Sequence, residues 1–173
     1  MPKSLFWTTK DGAHVELRPI QSNDEQRMIE FHRNVSERSV YMRYFESLSL
    51  ARRTAHPRLS RICLIDPERE TVLVALEREE KSIERKIVAV GRLSKLPDPR
   101  KAEVALLVVD QWQGRGLGTE LLHQLIQAAR SQKLTQIEAE MLRDNIAMQR
   151  VLKKFGFHLQ LIDARSVRAV LSL

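Results

Sequence analysis

The sequence predicts a mixed-sheet α/β fold built as one domain over residues 1–173, and three observations carry that reading. Its 173 residues make one ordinary domain, and 43% apolar side chains are enough to fill a core at that size. Stretches of alternating polarity and stretches of helical spacing follow one another with no repeat, low-complexity segment or long linker. Residues 102–109 (AEVALLVV) are almost continuously apolar, as a strand buried on both faces reads. Strands and helices alternate without a regular parallel repeat, so a mixed sheet of about seven strands with about four helices is expected.

Residues 14–20 (HVELRPI) alternate as a strand does, and Pro19 closes it. Ser22 with Glu25 three positions on fits a capping box, and the helix behind it aligns Met28, Phe31, His32 and Val35. Ser36 is expected to cap a second helix, where Val40, Tyr44, Phe45 and Leu48 recur at helical spacing. Residues 51–57 are polar and break the pattern. Strands are predicted at 72–77 and 87–93, with a charged loop between them. Residues 116–133 form a helix with Leu117, Leu121, Leu125 and Ala128 on its buried side. Residues 136–142 alternate Ile137, Ala139 and Met141 with Glu138 and Glu140, a strand with one wet face. A last helix at 145–155 presents Met148, Val151, Leu152 and Phe155, and Gly156 ends it. Strands at 158–162 and 166–171 follow.

Composition excludes several classes. Basic minus acidic side chains is 29 − 22 = +7, an excess spread over both halves with no basic tail. Arg33, Arg38, Arg43, Arg52, Arg53, Arg58 and Arg61 stand against only Glu37 and Glu46. That run reads either as a solvated face or as a surface for an anionic partner. Aromatic residues are too scattered for a base-stacking platform, so no nucleic-acid partner is expected. No apolar run approaches the roughly 18 residues of a membrane span. The first ten residues lack the apolar stretch of a secretory signal, so the expected compartment is the cytoplasm. Cys63 stands alone between Ile62 and Leu64, which excludes an internal disulfide and makes it a poor nucleophile. The five histidines have no metal-like spacing, and no metal is expected.

The chemistry begins where the apolar strand meets the long helix. Gly114, Gly116 and Gly118 lie at that junction, where glycine lets backbone turn tightly and approach a ligand. N–H groups and the positive end of the helix dipole converge there and favour an anion, best a phosphate. The spacing is neither a Walker loop nor a Rossmann fingerprint.

Gln113-x-x-Gly116-x-Gly118, followed by Asn145-Ile146-Ala147-Met148 and a closing Phe155-Gly156-Phe157, resembles the acetyl-CoA signature of the GNAT superfamily of N-acetyltransferases. Leu17-Arg18-Pro19-Ile20, Asp24, Phe31-His32, Ser36, Ser39, Tyr41 and Arg43-Tyr44-Phe45 look like bacterial Pat-like protein lysine acetyltransferases. The resemblance implies a GNAT-like, mostly antiparallel sheet along nearly the whole chain. Residues 14–110 would carry the acceptor-site helices, and 111–173 the acyl-CoA-binding helix and C-terminal half. It implies acetyl-CoA as cosubstrate, its pyrophosphate on the backbone of Gln113, Gly114, Arg115, Gly116, Leu117, Gly118 and Thr119. The pantetheine arm would run along Leu106, Leu107 and Val108, which requires that strand to splay from 136–142. Asn145 and Met148 would flank the thioester, although Met148 and Val151 also read as plain core packing.

A lysine amine is neutral in only about one molecule in 10³ at pH 7, so amide transfer calls for a base. Glu103 is the candidate, an acid inside an apolar strand, where burial is expected to raise its pKa into the working range. The resemblance places a catalytic Glu in this Ala-Glu-Val-Ala context; a strand-edge Glu would instead face solvent or pair with Arg100 or Lys101. Many GNAT enzymes carry a Tyr as general acid where this chain has Leu152, and helical spacing turns Lys153 and Lys154 elsewhere. Arg38 and Arg43 are the expected acceptor-side residues, suited to a lysine on an acidic protein surface and repelling polyamines. The Pat-like resemblance implies an acyl-CoA synthetase as such an acceptor. A small-molecule amine acetyltransferase and a non-catalytic acyl-CoA-binding domain are the alternatives, with a monomer or homodimer as the assembly.

Overall fold

The computed structural model describes residues 4–78 and 85–173. Part of the charged loop expected between 77 and 87, and residues 1–3, lie outside them. The described strands are β1 (Leu5–Thr8), β2 (His14–Pro19), β3 (Glu70–Glu77), β4 (Ile87–Lys95), β5 (Lys101–Val108), β6 (Gln136–Leu142), β7 (His158–Leu161) and β8 (Ser166–Ser172). They form one sheet in the order β1-β2-β3-β4-β5-β6-β8-β7, antiparallel everywhere except between β5 and β6. Helices α1 (Glu25–Arg33), α2 (Glu37–Tyr44), α3 (Leu50–Arg53) and α4 (His56–Cys63) lie between β2 and β3. Helix α5 (Leu117–Ser131) crosses from β5 to β6, and α6 (Ile146–Lys154) connects β6 to β7.

Helix α5 packs on the sheet face that carries Gly91 and Leu106. A Cβ at Gly91 would meet Leu125 Cδ1 at 3.0 Å and Leu106 Cδ2 at 3.1 Å, so glycine sets the closeness of that contact. Arg92 and Glu103, of opposite parity, face the other way, towards α2. The buried side of α5 is Leu117, Leu121, Leu122, Leu125, Ile126 and Ala129; Ala128 is only half-buried.

Asp24 ties β2 to α1. Fully buried, its carboxylate accepts from Arg18 Nη1 at 2.7 Å and Nη2 at 2.8 Å, from the Gln21 N–H at 2.8 Å and from Arg27 Nη1 at 3.1 Å. Two of the residues that carry the Pat-like resemblance thus hold the fold. So do Phe31 and His32, both buried; burial, then Arg58 and Arg53, lowers the His32 pKa to about 4 and keeps it neutral.

Several local expectations need correction. The reciprocal cap at the start of the helical segment uses Gln21 and Asp24, while Glu25 turns to His56. Helix α2 stops at Tyr44, and Phe45 takes a left-handed φ of 62° as its cap, which puts Leu48 in the following loop, still buried. Residues 51–57 contain a helix and the start of another: Ser49 caps α3, and Pro57 sits in the first turn of α4, where its missing N–H costs nothing. Both helices are too short to show a period. Strand β1 was not expected; its sequence LFWT does not alternate, and pairing with β2 defines it.

Candidate active site

The parallel pairing of β5 and β6 covers only Lys101 with Gln136, Ala102 with Ile137 and Glu103 with Glu138. Beyond Glu103 the strands part, while β4 stays paired with β5 as far as Val108. The expected splay is therefore present. It opens a cavity of about 680 Å³, with one edge of β5 from Val104 to Val108 along its wall.

Of the residues singled out in the sequence, Leu106, Leu107, Val108, Gln113, Gly114, Gly116, Gly118, Thr119, Asn145, Met148, Arg38 and Arg43 all line this cavity. Three do not. Leu117 is buried core, and Arg115 turns away to pair with Asp11 at 3.2 Å and to lie over Trp112. Glu103 is exposed rather than buried, at the last residue where β6 stays paired with β5. Beyond it Ala105, Leu106 and Val108 line the cavity half-buried, so β5 is not buried on both faces.

The glycine turn is braced from several sides. Gly114 and Gly116 take φ of 76° and 93°, and Trp7 Cη2 stands 3.3 Å from where a Gly116 Cβ would be. The Lys10 N–H donates to the Arg115 carbonyl at 3.2 Å, so the turn after β1 supports the loop. The first N–H groups of α5 have no carbonyl one turn earlier in the helix. Gln113 Nε2 donates to the Val108 carbonyl at 3.0 Å and to Ser39 Oγ at 3.1 Å. Asp110 accepts from the Ser36 N–H, Ser36 Oγ and Ser39 Oγ at 2.9, 2.7 and 2.8 Å, which pins the start of α2 to the end of β5. Burial works to raise the Asp110 pKa, but these hydrogen bonds outweigh it and lower it. Asn145 caps α6 through the Met148 N–H at 3.1 Å.

Sequence reasoning missed Lys10 and Arg150, which line the cavity together with Lys154. The prediction that Lys154 points elsewhere is overturned: Ala147, Arg150, Val151 and Lys154 all reach the cavity and share one face of α6. That spacing was a usable signal; Lys10 had none without β1. With Arg38 and Arg43 the lining carries five cations against Asp110, Glu140 and Asp144, a balance that suits a polyanion. Leu152 is fully buried and does not reach the cavity. Burial, then Asp24 and Glu25, pushes the Cys63 thiol up to about 11, so it is no nucleophile. Among the described residues, no group of three His, Cys, Asp or Glu side chains is placed to hold a metal, and no helix is long and apolar enough to cross a membrane.

Comparison with known proteins agrees with this geometry. The family model described as an acetyltransferase (GNAT) domain matches residues 14–158. The chain is 27% identical over 147 residues to "Acetyltransferase PA5475" of Pseudomonas aeruginosa, covering 85% of this chain and 76% of that one. It is 28% identical over 149 residues to "Acetyltransferase Pat" of Mycolicibacterium smegmatis, covering 85% of this chain but only 42% of that longer protein. Among solved structures, the GNAT domain of S. lividans PAT superimposes with a TM-score of 0.87 at 26% identity, covering 100% of this chain and 99% of that one. The chain belongs to the GNAT family of acetyltransferases and is an acyl-CoA-dependent N-acetyltransferase that takes its acyl group from acetyl-CoA.

Proposed function

We propose that the chain acetylates lysine ε-amines on acidic protein surfaces, with Glu103 receiving the amine's proton. One observation carries the reading: β5 and β6 stay paired only as far as Glu103, and the cavity between the glycine turn and α2 opens along the residues that follow it, from Val104 to Val108. On the donor side, backbone from Gln113 to Thr119 holds the pyrophosphate, and Leu106, Leu107 and Val108 offer main chain to the pantetheine arm. Asn145 and Met148 flank its end. Acetyl-CoA supplies an activated thioester, whose acetyl carbon gains a C–N bond as its C–S bond breaks. The lysine ammonium gives one proton to Glu103, directly or through water, and loses a second once the C–N bond has formed. The departing thiolate takes a proton from water, because Leu152 offers none. The net yield is amide, CoA thiol and one proton.

On the donor side, Gly118→Val is expected to raise the acetyl-CoA dissociation constant about tenfold or more, one step of roughly 1.4 kcal/mol. A Cβ there meets only Val108 Cγ2, at 3.9 Å, so the fold tolerates it while the valine keeps phosphate off the amides. Gly116→Val carries the added strain of a positive φ and is the less clean test. Unchanged affinity by calorimetry, in a folded Gly118→Val protein, would remove the loop from the donor site.

Arg38 is exposed and Arg43 half-buried on the α2 side of the cavity, and they favour an acceptor set among carboxylates. The Pat-like resemblance supports a protein acceptor, with an acyl-CoA synthetase as the first to try. The test offers acetyl-CoA with such a synthetase, a proteome extract and spermidine, reading lysine acetylation by mass spectrometry and thiol release by absorbance. Protein acetylation is expected to exceed polyamine acetylation, to weaken with added salt, and to fall severalfold in Arg38→Glu and in Arg43→Glu. A polyamine as the far better acceptor, or intact protein acetylation in both reversals, would sink the lysine assignment. The buried Leu152 favours one other reading, acyl-CoA binding without turnover, for which thiol release would be absent with every amine.

A further inference from the structure

A carboxylate used as the base for an amine has a cost: alone, it stabilises the ammonium and traps the substrate in its unreactive form. The structure sets a counterweight next to it. Arg43 lines the cavity on α2, which packs against β5 on the sheet face that Glu103 shares with Arg92; Glu103 acts on it as an attractive charge, and Arg92 and Arg58 as repulsive ones. Its guanidinium carbon lies 4.9 Å from the centroid of the Tyr44 ring, and that of Arg58, from α4, lies 5.1 Å from the same ring. Tyr44 thus gathers two guanidiniums that would otherwise repel each other.

We propose that Arg43, held in place by Tyr44, cancels the pull of Glu103 on the acceptor's ammonium, so that the site presents a neutral amine to the thioester. This rests on the reading that the acceptor is an amine and that Glu103 takes its proton. Arg43 acts through space, and Tyr44 is a positioning residue.

The other charges around Arg43 leave it free for this task. Arg92, on β4, is 3.6 Å from Glu70 of β3. On β6, Glu138 and Glu140 both answer to Arg168 of β8, at 3.7 and 2.7 Å. Asp110 is occupied with Ser36 and Ser39. Arg38 stands one turn earlier on α2 and is exposed to screening, while Arg150 and Lys154 line the cavity from α6. Burial works to lower the pKa of Arg43, with Tyr44 and Glu103 opposing. A guanidinium nonetheless stays charged at neutral pH.

The test is the pH dependence of kcat/KM with a lysine peptide as acceptor and acetyl-CoA saturating. Arg43→Gln is expected to move the acid limb up by about one pH unit, a tenfold loss at pH 7 that closes as the pH approaches the amine's own pKa. The shift should persist in high salt, unlike the docking effect of Arg38→Glu. Tyr44→Ala should shift the limb in the same direction, and Tyr44→Phe, which keeps the ring face, should restore it. If Arg43→Gln does not fold, Arg43→Lys provides the second measurement, with a smaller shift of the same sign. A rate lowered by one factor at every pH, or Tyr44→Phe as harmful as Tyr44→Ala, overturns the proposal. A wild-type protein that acetylates no amine at all overturns the underlying reading instead.

Discussion

Replacing Asp24 with Ala is expected to cost about 3–5 kcal/mol of folding stability, the usual result of stripping one partner from a buried ion pair. Four donors lose their acceptor together: both Arg18 nitrogens, the Gln21 N–H and Arg27 Nη1. Among the described residues, Arg18 keeps only the Pro19 carbonyl. For a domain of this size the loss corresponds to a fall in melting temperature of roughly 10 °C. Changing Arg18 and Asp24 together to apolar residues should recover much of it, because no uncompensated charge then stays buried.

The pH dependence has a definite sign. Burial works against the Asp24 carboxylate, but bonds from Arg18, Gln21 and Arg27 outweigh it and lower its pKa below the unfolded value. Its contribution is therefore complete above about pH 4 and is lost as the pH falls through the lower, folded value. Asp24→Asn should differ most from the wild-type protein at neutral pH and converge with it in acid. Denaturant titrations at pH 7 and pH 3 check both claims. A difference below about 1 kcal/mol at pH 7 would mean that the pair does not hold β2 to α1.

The strands and the two long connections were legible because each carries several periods of its pattern. Strands β2 to β6 and helix α5 announce themselves by repetition. What stayed hidden was made by contact. Strand β1 exists because it pairs with β2, and α3 and α4 owe their form to caps at Ser49 and to Pro57 in a first turn. The donor wall was readable from glycines at a strand-to-helix junction, since backbone geometry leaves a residue-level mark. Its cations were less so: Arg150 was not singled out and helical spacing was expected to turn Lys154 elsewhere, and only the splay of β6 from β5 turns their side of α6 into a wall. Glu103 is exposed at the point where the splay begins, where an almost continuously apolar strand suggested burial.

Glu103→Gln is expected to leave acetyl-CoA affinity unchanged and to cut turnover at pH 7 by about 10²-fold or more, the usual scale for a positioned base. The carboxamide keeps the size of the side chain, and the residue's main-chain pairing with Ser94 and Glu138 does not depend on its charge. Binding and folding are therefore spared while proton acceptance is lost. The deficit should shrink as pH rises towards about 10, where lysine supplies its own neutral amine. Exposure fits this role, because an exposed carboxylate can pass the proton to water between turnovers. The same variant separates Glu103 from Arg43. With the carboxylate gone there is no ion pair for the guanidinium to offset, yet its repulsion of the ammonium remains. The double variant Glu103→Gln/Arg43→Gln should therefore lose the shift to a neutral amine as well, and turn over more slowly at pH 7 than Glu103→Gln alone. Wild-type turnover at pH 7 in Glu103→Gln would reduce this residue to a strand-edge acid facing solvent, and the base would have to be sought in bulk water.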